Sequence, residues 1–184
     1  MEQQEEQQVR QAQAGDRQAF AGLVERYWGR VYRFLFALSR NVHQAEDLTQ
    51  DVFLKAWHAL PGFHSAQSFR AWLFQIARNG LIDSRRGPRS APTEQVTDTA
   101  AVKEPGPVTR VLLQEATTLL EQACDRLPAG FRVPLLLWTQ EDLSYAEIAQ
   151  VRGVTEETAR WRVFKARQFL LKEIGPHWTK KKKP

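Results

Sequence analysis

The sequence predicts an all-α fold: two small helical domains, a helical bundle and a C-terminal helix-turn-helix, joined by a flexible proline-rich linker. Apolar residues recur at helical spacing in two blocks, and no segment alternates with period two for long enough to form a strand. Between the blocks lies a stretch with four prolines and no aromatic residue, which is typical of a linker. The expected order is a disordered or frayed N-terminus (1–15), the bundle (16–86), the linker (87–109), the helix-turn-helix domain (110–175) and a basic tail (176–184).

Length and composition exclude several classes of protein. A chain of 184 residues with 42% hydrophobic residues is long and apolar enough to fold. Its one cysteine, Cys124, cannot form an internal disulfide, which indicates a reducing compartment. The N-terminus has no apolar run typical of a secretory signal, and no stretch approaches the ~20 apolar residues of a membrane helix. We therefore expect a cytoplasmic protein without membrane insertion.

The net charge of +5 and the pI of about 9.6 suggest an anionic partner. Much of that excess comes from the lysine run Lys180–Lys183 in the tail. Nucleic-acid binding would therefore depend on local clusters of basic residues, and we expect the tail itself to be disordered.

Three helices are predicted in the first block. Asp16 can cap the first, whose apolar face is formed by Phe20, Leu23, Val24, Tyr27, Val31, Leu35 and Leu38. The second begins near His43–Ala45 and ends at Pro61-Gly62, with an apolar stripe of Leu48, Val52, Ala56 and Leu60. Ser68 can cap the third, residues 69–86.

The second block begins with two predicted helices, residues 111–126 and 129–139. Pro128 lies where a helix start tolerates proline. Pro134 lies inside the second of these helices and should weaken or bend one turn.

A helix-turn-helix follows. Ser144 and Glu147 have the spacing of a capping box, and Leu143 with Ile148 the spacing of a hydrophobic staple. Gly153 suits the left-handed turn that ends the short helix, and Thr155 can cap the longer helix. A short helix, a glycine turn and a longer helix together predict this motif.

The first candidate surface is the second helix of this motif. It carries Arg160, Arg162, Lys165 and Arg167, with no acidic residue between Glu157 and Glu173. Such a helix can enter a major groove, where cations contact phosphates and N-terminal residues contact base edges. An ordinary helical hairpin with a solvated basic face remains the alternative.

A second candidate surface combines aromatic and basic residues in the bundle. Phe63, Phe69, Trp72 and Phe74 alternate with Arg70, Arg78, Arg85 and Arg86. Rings that stack on bases and cations that hold the backbone are typical of single-strand binding. Aromatic residues at helical spacing are more often core, and we expect that of Phe69. Phe63, in a loop, is the one aromatic without an obvious buried role.

A third candidate surface consists of Asp47, Gln50 and Asp51, which share one helix face because they lie three and four residues apart. This face could dock a basic partner, or it could be an ordinary solvated surface.

The order of these motifs resembles a known family. AEDLTQDVFLKAW, then FRAWLFQIARNGLIDSRR, a proline-rich linker and LSYAEIAQVRGVTEETARWRVFKAR resemble a bacterial RNA polymerase sigma factor of the extracytoplasmic-function (ECF) group of the sigma-70 family. The resemblance covers about residues 10–174. It implies a transcription initiation factor that binds the polymerase core and directs it to promoters.

The resemblance also assigns residues. It implies docking on the polymerase core through Asp47, Gln50, Asp51 and Phe53. It implies reading of the −10 element as melted single strand through Phe63, Arg70, Trp72, Arg78, Asn79, Arg85 and Arg86. It implies reading of the −35 element as duplex through Glu157, Thr158, Arg160, Trp161, Arg162, Lys165 and Arg167. In that scheme Phe63 helps hold a flipped base, and Arg162 and Arg167 contact phosphates.

Three positions depart from the family pattern. Arg152 stands where an apolar residue usually packs the turn, Ala159 where a larger aliphatic is usual, and Trp161 where a small polar residue is usual. A long arginine stem could cover the gap at the turn. Trp161 either fills the volume that Ala159 leaves or faces DNA. These departures affect the −35 sequence preference.

The prediction is therefore a transcription initiation factor with no enzyme activity and no cofactor or metal, because His43, His58, His64 and His177 are scattered without metal-ligand spacing. The family implies an anti-sigma partner. Two alternatives remain: a stand-alone helix-turn-helix regulator that binds operator duplex without polymerase, and a helical adaptor that never contacts DNA.

Overall fold

A computed structural model of the chain describes residues 2–64, 68–86 and 107–180, with side chains for residues 3–64, 68–85 and 117–175. Most of the predicted linker (87–106) and residues 181–184 of the tail lie outside the described residues. As predicted, the described part of the chain is helical and contains no strand. The helices are α1 (Glu2–Gln13), α2 (Arg17–Ser39), α3 (Val42–Ala59), α4 (Phe69–Arg86), α5 (Pro107–Arg126), α6 (Ala129–Thr139), α7 (Tyr145–Arg152) and α8 (Glu156–Lys180).

The caps explain where the helices of the first unit (α1–α4) begin. The Asp16 carboxylate accepts hydrogen bonds from the backbone N–H groups of Gln18 and Ala19, at 2.8 and 3.1 Å. Asn41 accepts one from the N–H of Gln44 at 2.9 Å, so α3 begins one residue before the predicted start. A 3₁₀ turn, Leu60–Gly62, follows α3 at the predicted proline-glycine stop.

Near the N-terminus, where the sequence predicts a disordered or frayed segment (1–15), the structure has helix α1 over Glu2–Gln13. Helix α1 packs on α2, and its Val9 and Ala12 are buried. The Tyr27 hydroxyl donates a hydrogen bond to Glu5 at 2.7 Å, and the Gln13 amide donates to the carbonyl of Phe63 at 2.7 Å. Sequence reasoning missed this helix because so polar a segment gains most of its stability from tertiary contacts.

The second unit (α5–α8) contains the predicted helix-turn-helix as α7 and α8. The capping box is present: the Ser144 Oγ accepts from the Glu147 N–H at 3.2 Å, and Glu147 accepts from the Ser144 N–H at 2.8 Å. Gly153 has the predicted left-handed conformation, with φ 62°. The Thr155 Oγ1 accepts from the Thr158 N–H at 3.2 Å and caps α8.

Two helices of this unit extend beyond the predicted bounds of the helix-turn-helix domain. Helix α5 begins at Pro107, inside the predicted linker, because proline suits the first turn of a helix. Helix α8 continues to Lys180, inside the predicted tail.

The two units pack against each other in this structure and share one hydrophobic core. Helix α4 lies against α7, and α2 contacts α6. Buried side chains of α4, including Leu73 and Ala77, belong to the same cluster as Ile148, Val151 and Val163 of the helix-turn-helix. The helix-turn-helix is therefore held against the bundle by apolar burial.

The packing of α1 gives a first prediction. The change Ala12→Asp places an unpaired carboxylate in a buried position, so it should release α1 and lower the free energy of unfolding by about 2 kcal/mol or more. Urea denaturation and tryptic cleavage after Arg10 measure the effect. The control Gln11→Asp changes an exposed neighbour on the same helix and should leave both unchanged. Equal effects from the two changes would contradict the packing of α1.

Candidate nucleic-acid interface and docking face

The outer face of α3 carries the predicted docking residues. Asp47, Gln50 and Asp51 are exposed, as is Leu54, which is one further turn along and 59% exposed. We call these four residues the α3 face. Sequence reasoning missed Leu54, although its spacing of three and four residues from Asp51 and Gln50 places it on the same stripe. The face therefore combines negative charge with an exposed apolar side chain at its C-terminal end.

Phe53 is placed differently from its three predicted companions. Its side chain is buried, and its ring stacks on Trp28 of α2 with the centroids 5.7 Å apart and the planes 13° apart. The exposed ring of this pair is Trp28, at 38% exposure. A partner on this side would thus contact Trp28 directly and Phe53 only through it, which sequence spacing on α3 alone could not reveal.

Phe63 is buried, at 7% exposure, so the expectation that it has no buried role was wrong. Its ring lies 5.8 Å from that of Phe69 and 4.9 Å from that of the half-buried Trp72, measured between centroids. The hydrogen bond from Gln13 to its carbonyl fixes the backbone at the same point. The three rings form a rigid aromatic cluster at the start of α4, with Phe69 in the core as predicted.

The described basic residues of α4 have partners in both units. Arg70 forms an ion pair with Glu147 of α7 at 3.3 Å. Arg78 is half-buried and donates a hydrogen bond to the exposed Asn79 at 3.1 Å. Arg85 donates to the carbonyl of Leu38 at 2.8 Å. The side chain of Arg86 lies outside the described residues.

The ion pair of Arg70 affects the ionisation of its partner. Burial opposes the charged form of Glu147, but hydrogen bonds from Ser68 and Ser144 and the charge of Arg70 outweigh it and hold its pKa below the ordinary range. Glu147, which caps α7, therefore also pairs with Arg70, a residue predicted to contact the −10 element.

A buried ion pair joins the two units at a second point. The Arg30 Nε lies 2.7 Å from the Glu141 Oε2, and the Glu141 side chain is fully buried. Arg30 also donates to the Glu141 backbone carbonyl at 3.1 Å. Burial raises the pKa of Glu141, and the charge of Arg30 only partly opposes this. The pair fixes the relative position of α2 and the α6–α7 turn, and the sequence showed no sign of it.

The exposed side of α8 presents the predicted −35 residues. Glu157, Arg160, Lys165 and Arg167 are exposed, whereas Thr158 and Arg162 are half-buried. Two guanidinium groups are held over rings: Arg160 lies 5.4 Å from the Tyr145 ring centroid, and Arg167 lies 5.0 Å from that of Trp138.

The structure bears on one of the two roles considered for Trp161, the filling of volume beside Ala159. Ala159 is fully buried, whereas Trp161 lies on the outer side of α8 at 51% exposure, against the ring of Phe131. Trp161 therefore does not fill the volume beside Ala159. Phe164, one turn further, is 52% exposed and was not singled out from the sequence.

A helix-turn-helix with an exposed basic second helix, attached to a bundle with a separate acidic face, is typical of a DNA-binding protein. Comparisons with known proteins agree with this class. The family model described as "Sigma-70 region 2" matches residues 23–90, and that described as "Sigma-70, region 4" matches residues 117–170. These ranges contain the α3 face and the helix-turn-helix, respectively.

Curated relatives match over nearly the whole chain. The chain is 31% identical to the RNA polymerase sigma-H factor of Pseudomonas aeruginosa, over 95% of this chain and 96% of that protein. It is 31% identical to the ECF RNA polymerase sigma-E factor of Escherichia coli K12, over 91% and 93%. The chain belongs to the sigma-70 family, as a sigma factor of the ECF group.

Solved structures share the fold. CnrH, in complex with the cytosolic domain of CnrY, matches with a TM-score of 0.70 and 26% identity, over 94% of this chain and 97% of that chain. RpoE of Bartonella quintana, in complex with the anti-sigma factor NepR, matches with a TM-score of 0.68 and 24% identity, over 85% and 96%. No helix in the described part of the chain is long and apolar enough to cross a bilayer.

The raised pKa of Glu141 gives a second prediction. A carboxyl group whose pKa is higher in the folded than in the unfolded state favours folding at low pH, and this contribution is lost as pH rises above the ordinary value of 4.5. The stability of the wild type relative to Glu141→Gln should therefore increase as pH falls from 7 towards 4.5. Urea denaturation of both proteins across this pH range measures the difference between their free energies of unfolding. The contributions of the other carboxylates are the same in both proteins and cancel in this difference. A pH-independent difference would contradict the burial of an ionised Glu141.

Proposed function

We propose that this sigma factor binds the RNA polymerase core through the α3 face and directs it to promoters. In this proposal the first unit reads the −10 element as melted single strand, and the second reads the −35 element as duplex. The polymerase supplies the chemistry, in the cytoplasm. The observation that carries the proposal is that one chain presents two separate surfaces, the acidic α3 face and the exposed basic side of α8, each within its own sigma-70 family region. A stand-alone operator-binding regulator would need only the second.

The α3 face suits a basic helical partner. Asp47 and Asp51 can pair with basic residues and steer association, and Leu54 supplies apolar area beside them. Trp28 extends this area onto α2, and tryptophan is often an energetically dominant residue in interfaces.

The aromatic cluster of Phe63, Phe69 and Trp72 supports capture of a flipped base at the start of α4. Extruding a base costs a few kcal/mol. A surface whose side chains are already ordered avoids adding an entropy cost of ordering to this. The three rings are already packed, and Gln13 holds the backbone beside them. The exposed Asn79, two turns further along α4, can contact the strand.

The −35 element would contact the N-terminal half of α8. Arg160 forms an ion pair with Glu156 at 2.9 Å and stacks near Tyr145, which restricts its rotamers before DNA arrives. Arg167, stacked near Trp138, is likewise positioned for a phosphate. Such preorganisation reduces the entropy cost of each contact.

Simultaneous reading of both elements requires the two units to separate from the packed arrangement. Arg70, assigned to the −10 element, is paired with Glu147 of the helix-turn-helix. Arg78 and Arg162, assigned to different elements, are close enough to lower the pKa of the same residue, Arg152. An anti-sigma factor fits this proposal as a further partner, since the structural relative RpoE is seen in complex with one.

The docking proposal is tested by the double change Asp47→Arg and Asp51→Arg. Reversing two charges on the α3 face should weaken binding to purified core polymerase at least tenfold, about 1.4 kcal/mol, while the binding of α8 to −35 duplex is retained. Fluorescence anisotropy with labelled protein measures the first, and a gel shift measures the second. Asp83→Arg, an exposed reversal on α4, should leave core binding unchanged. Full core binding by the double variant would reject the docking face.

The −35 proposal is tested by Arg160→Ala. Loss of one base contact should reduce the discrimination between the preferred −35 duplex and base-substituted duplexes by about 1–3 kcal/mol. The reduction should occur at a single base position of the element. Competition binding with single-base variants measures this. Arg126→Ala removes an exposed arginine that pairs with Glu173, and discrimination should persist. A uniform loss at all positions would instead assign Arg160 to a phosphate.

A further inference from the structure

A cavity lies between the two units, with a volume of about 230 Å³. Its walls come from the end of α2, from the C-terminal half of α4, and from α6 and α7. Four arginines line it: Arg78, Arg85, Arg132 and Arg152. Among the described residues that line the cavity, none is an aspartate or a glutamate. The site is therefore a concave surface with a strong excess of positive charge.

The arginines of this cavity are incompletely satisfied. The Nε atoms of Arg78, Arg132 and Arg152 are buried, and each lacks a hydrogen-bond partner. Arg132 has one acidic neighbour, Asp125, which it shares with Arg40. Arg152 has no ion pair with any acid in the described part of the chain. Buried N–H groups without acceptors are rare, because each costs the full desolvation of the group.

The electrostatic environment of the cluster agrees with this geometry. Burial, together with the charges of Arg78 and Arg162, lowers the pKa of Arg152 to about 10. Burial and Arg162 lower that of Arg78, and burial is also the main cause of the lowered pKa of Arg132. The charges of the clustered arginines therefore repel one another, and an anion in the cavity would reduce this repulsion.

We propose that this cavity binds a small polyphosphate anion, the di- or triphosphate group either of free inorganic polyphosphate or of a nucleotide. Guanidinium groups bind phosphate oxygens by charge-assisted and often bidentate hydrogen bonds, and four of them line this cavity without an acidic residue among the described lining. One water occupies about 30 Å³ in the liquid, so the cavity has room for several phosphate groups. Duplex DNA cannot enter while the walls are packed.

Arg152 is the lining residue that distinguishes this chain from the family pattern. It stands at the position where the family resemblance implies an apolar residue, and its side chain lies at the cavity rather than sealing the turn. Because the walls belong to both units, a bound polyphosphate favours the packed arrangement by mass action. Binding itself does not depend on the proposed promoter function.

The test compares the full-length wild type with Arg152→Leu. Without added anion, the variant should have the higher Tm, because leucine removes a desolvated charge that has no counter-ion. Sodium tripolyphosphate should raise the Tm of the wild type in a saturable, salt-sensitive manner. Isothermal titration should show its affinity reduced at least tenfold in the variant. Arg17→Leu, an exposed change outside the cavity, should behave as the wild type in both measurements.

Three results would overturn the proposal. One is a wild-type Tm that does not respond to tripolyphosphate at low salt. Another is equal affinity in the wild type and Arg152→Leu, which would assign binding to another surface such as the lysine tail. The third is a lower Tm for the variant without anion, which would make Arg152 a packing residue.

Titration with ATP distinguishes the two sources. Similar affinity for ATP and tripolyphosphate assigns recognition to the phosphate chain alone, whereas tighter ATP binding adds a nucleoside contact. Either result, with the loss in Arg152→Leu, supports the site. Binding of promoter DNA without any binding of tripolyphosphate or ATP would reject it.

Discussion

The packing of α7 on α4 is the constraint on which the rest of the structure depends. Burial of apolar side chains such as Leu73, Ile148 and Val151 in one cluster brings the helix-turn-helix against the bundle. Apolar burial is non-directional, so it sets the position of the helices without regard to the charged groups near the contact. Glu141 forms an ion pair with Arg30, and Glu147 forms one with Arg70. The four arginines that line the cavity have too few acidic neighbours to balance their charge, so the cavity between the units is positively charged.

This arrangement relates stability to function. Residues assigned to promoter contacts serve as interface residues while the units are packed, and Arg70 is the clearest case. Each ion pair exchanges solvated charges for partly buried ones, so its net stabilisation is small, and apolar burial supplies most of the free energy that holds the units together. The α3 face lies away from these contacts and stays exposed, so the proposed docking of the polymerase core would not compete with the packing of the units.

Local signals in the sequence determined most of the helices. Asp16, the Ser144–Glu147 capping box and Gly153 each act within a few residues of themselves, and each was found in the predicted role. Periodicity placed α2 and α3 correctly for the same reason: one helix face recurs at fixed spacing. The basic side of α8 and the polar residues of the α3 face were predictable because residues on one helix share a face by geometry alone.

Contacts between distant segments could not be predicted in this way. The ordering of α1 depends on Tyr27 and on the Phe63 carbonyl, far away in the chain, and the burial of Phe63 depends on Phe69, Trp72 and Gln13 together. Nothing local marks Glu141 as the partner of Arg30, or Arg152 as the neighbour of Arg78. The sequence by itself determined most of the helices, several of their caps and the family pattern, because these follow from local spacing. Only the tertiary structure decided which charges are paired, which are left without partners and where the two units meet, because those depend on burial.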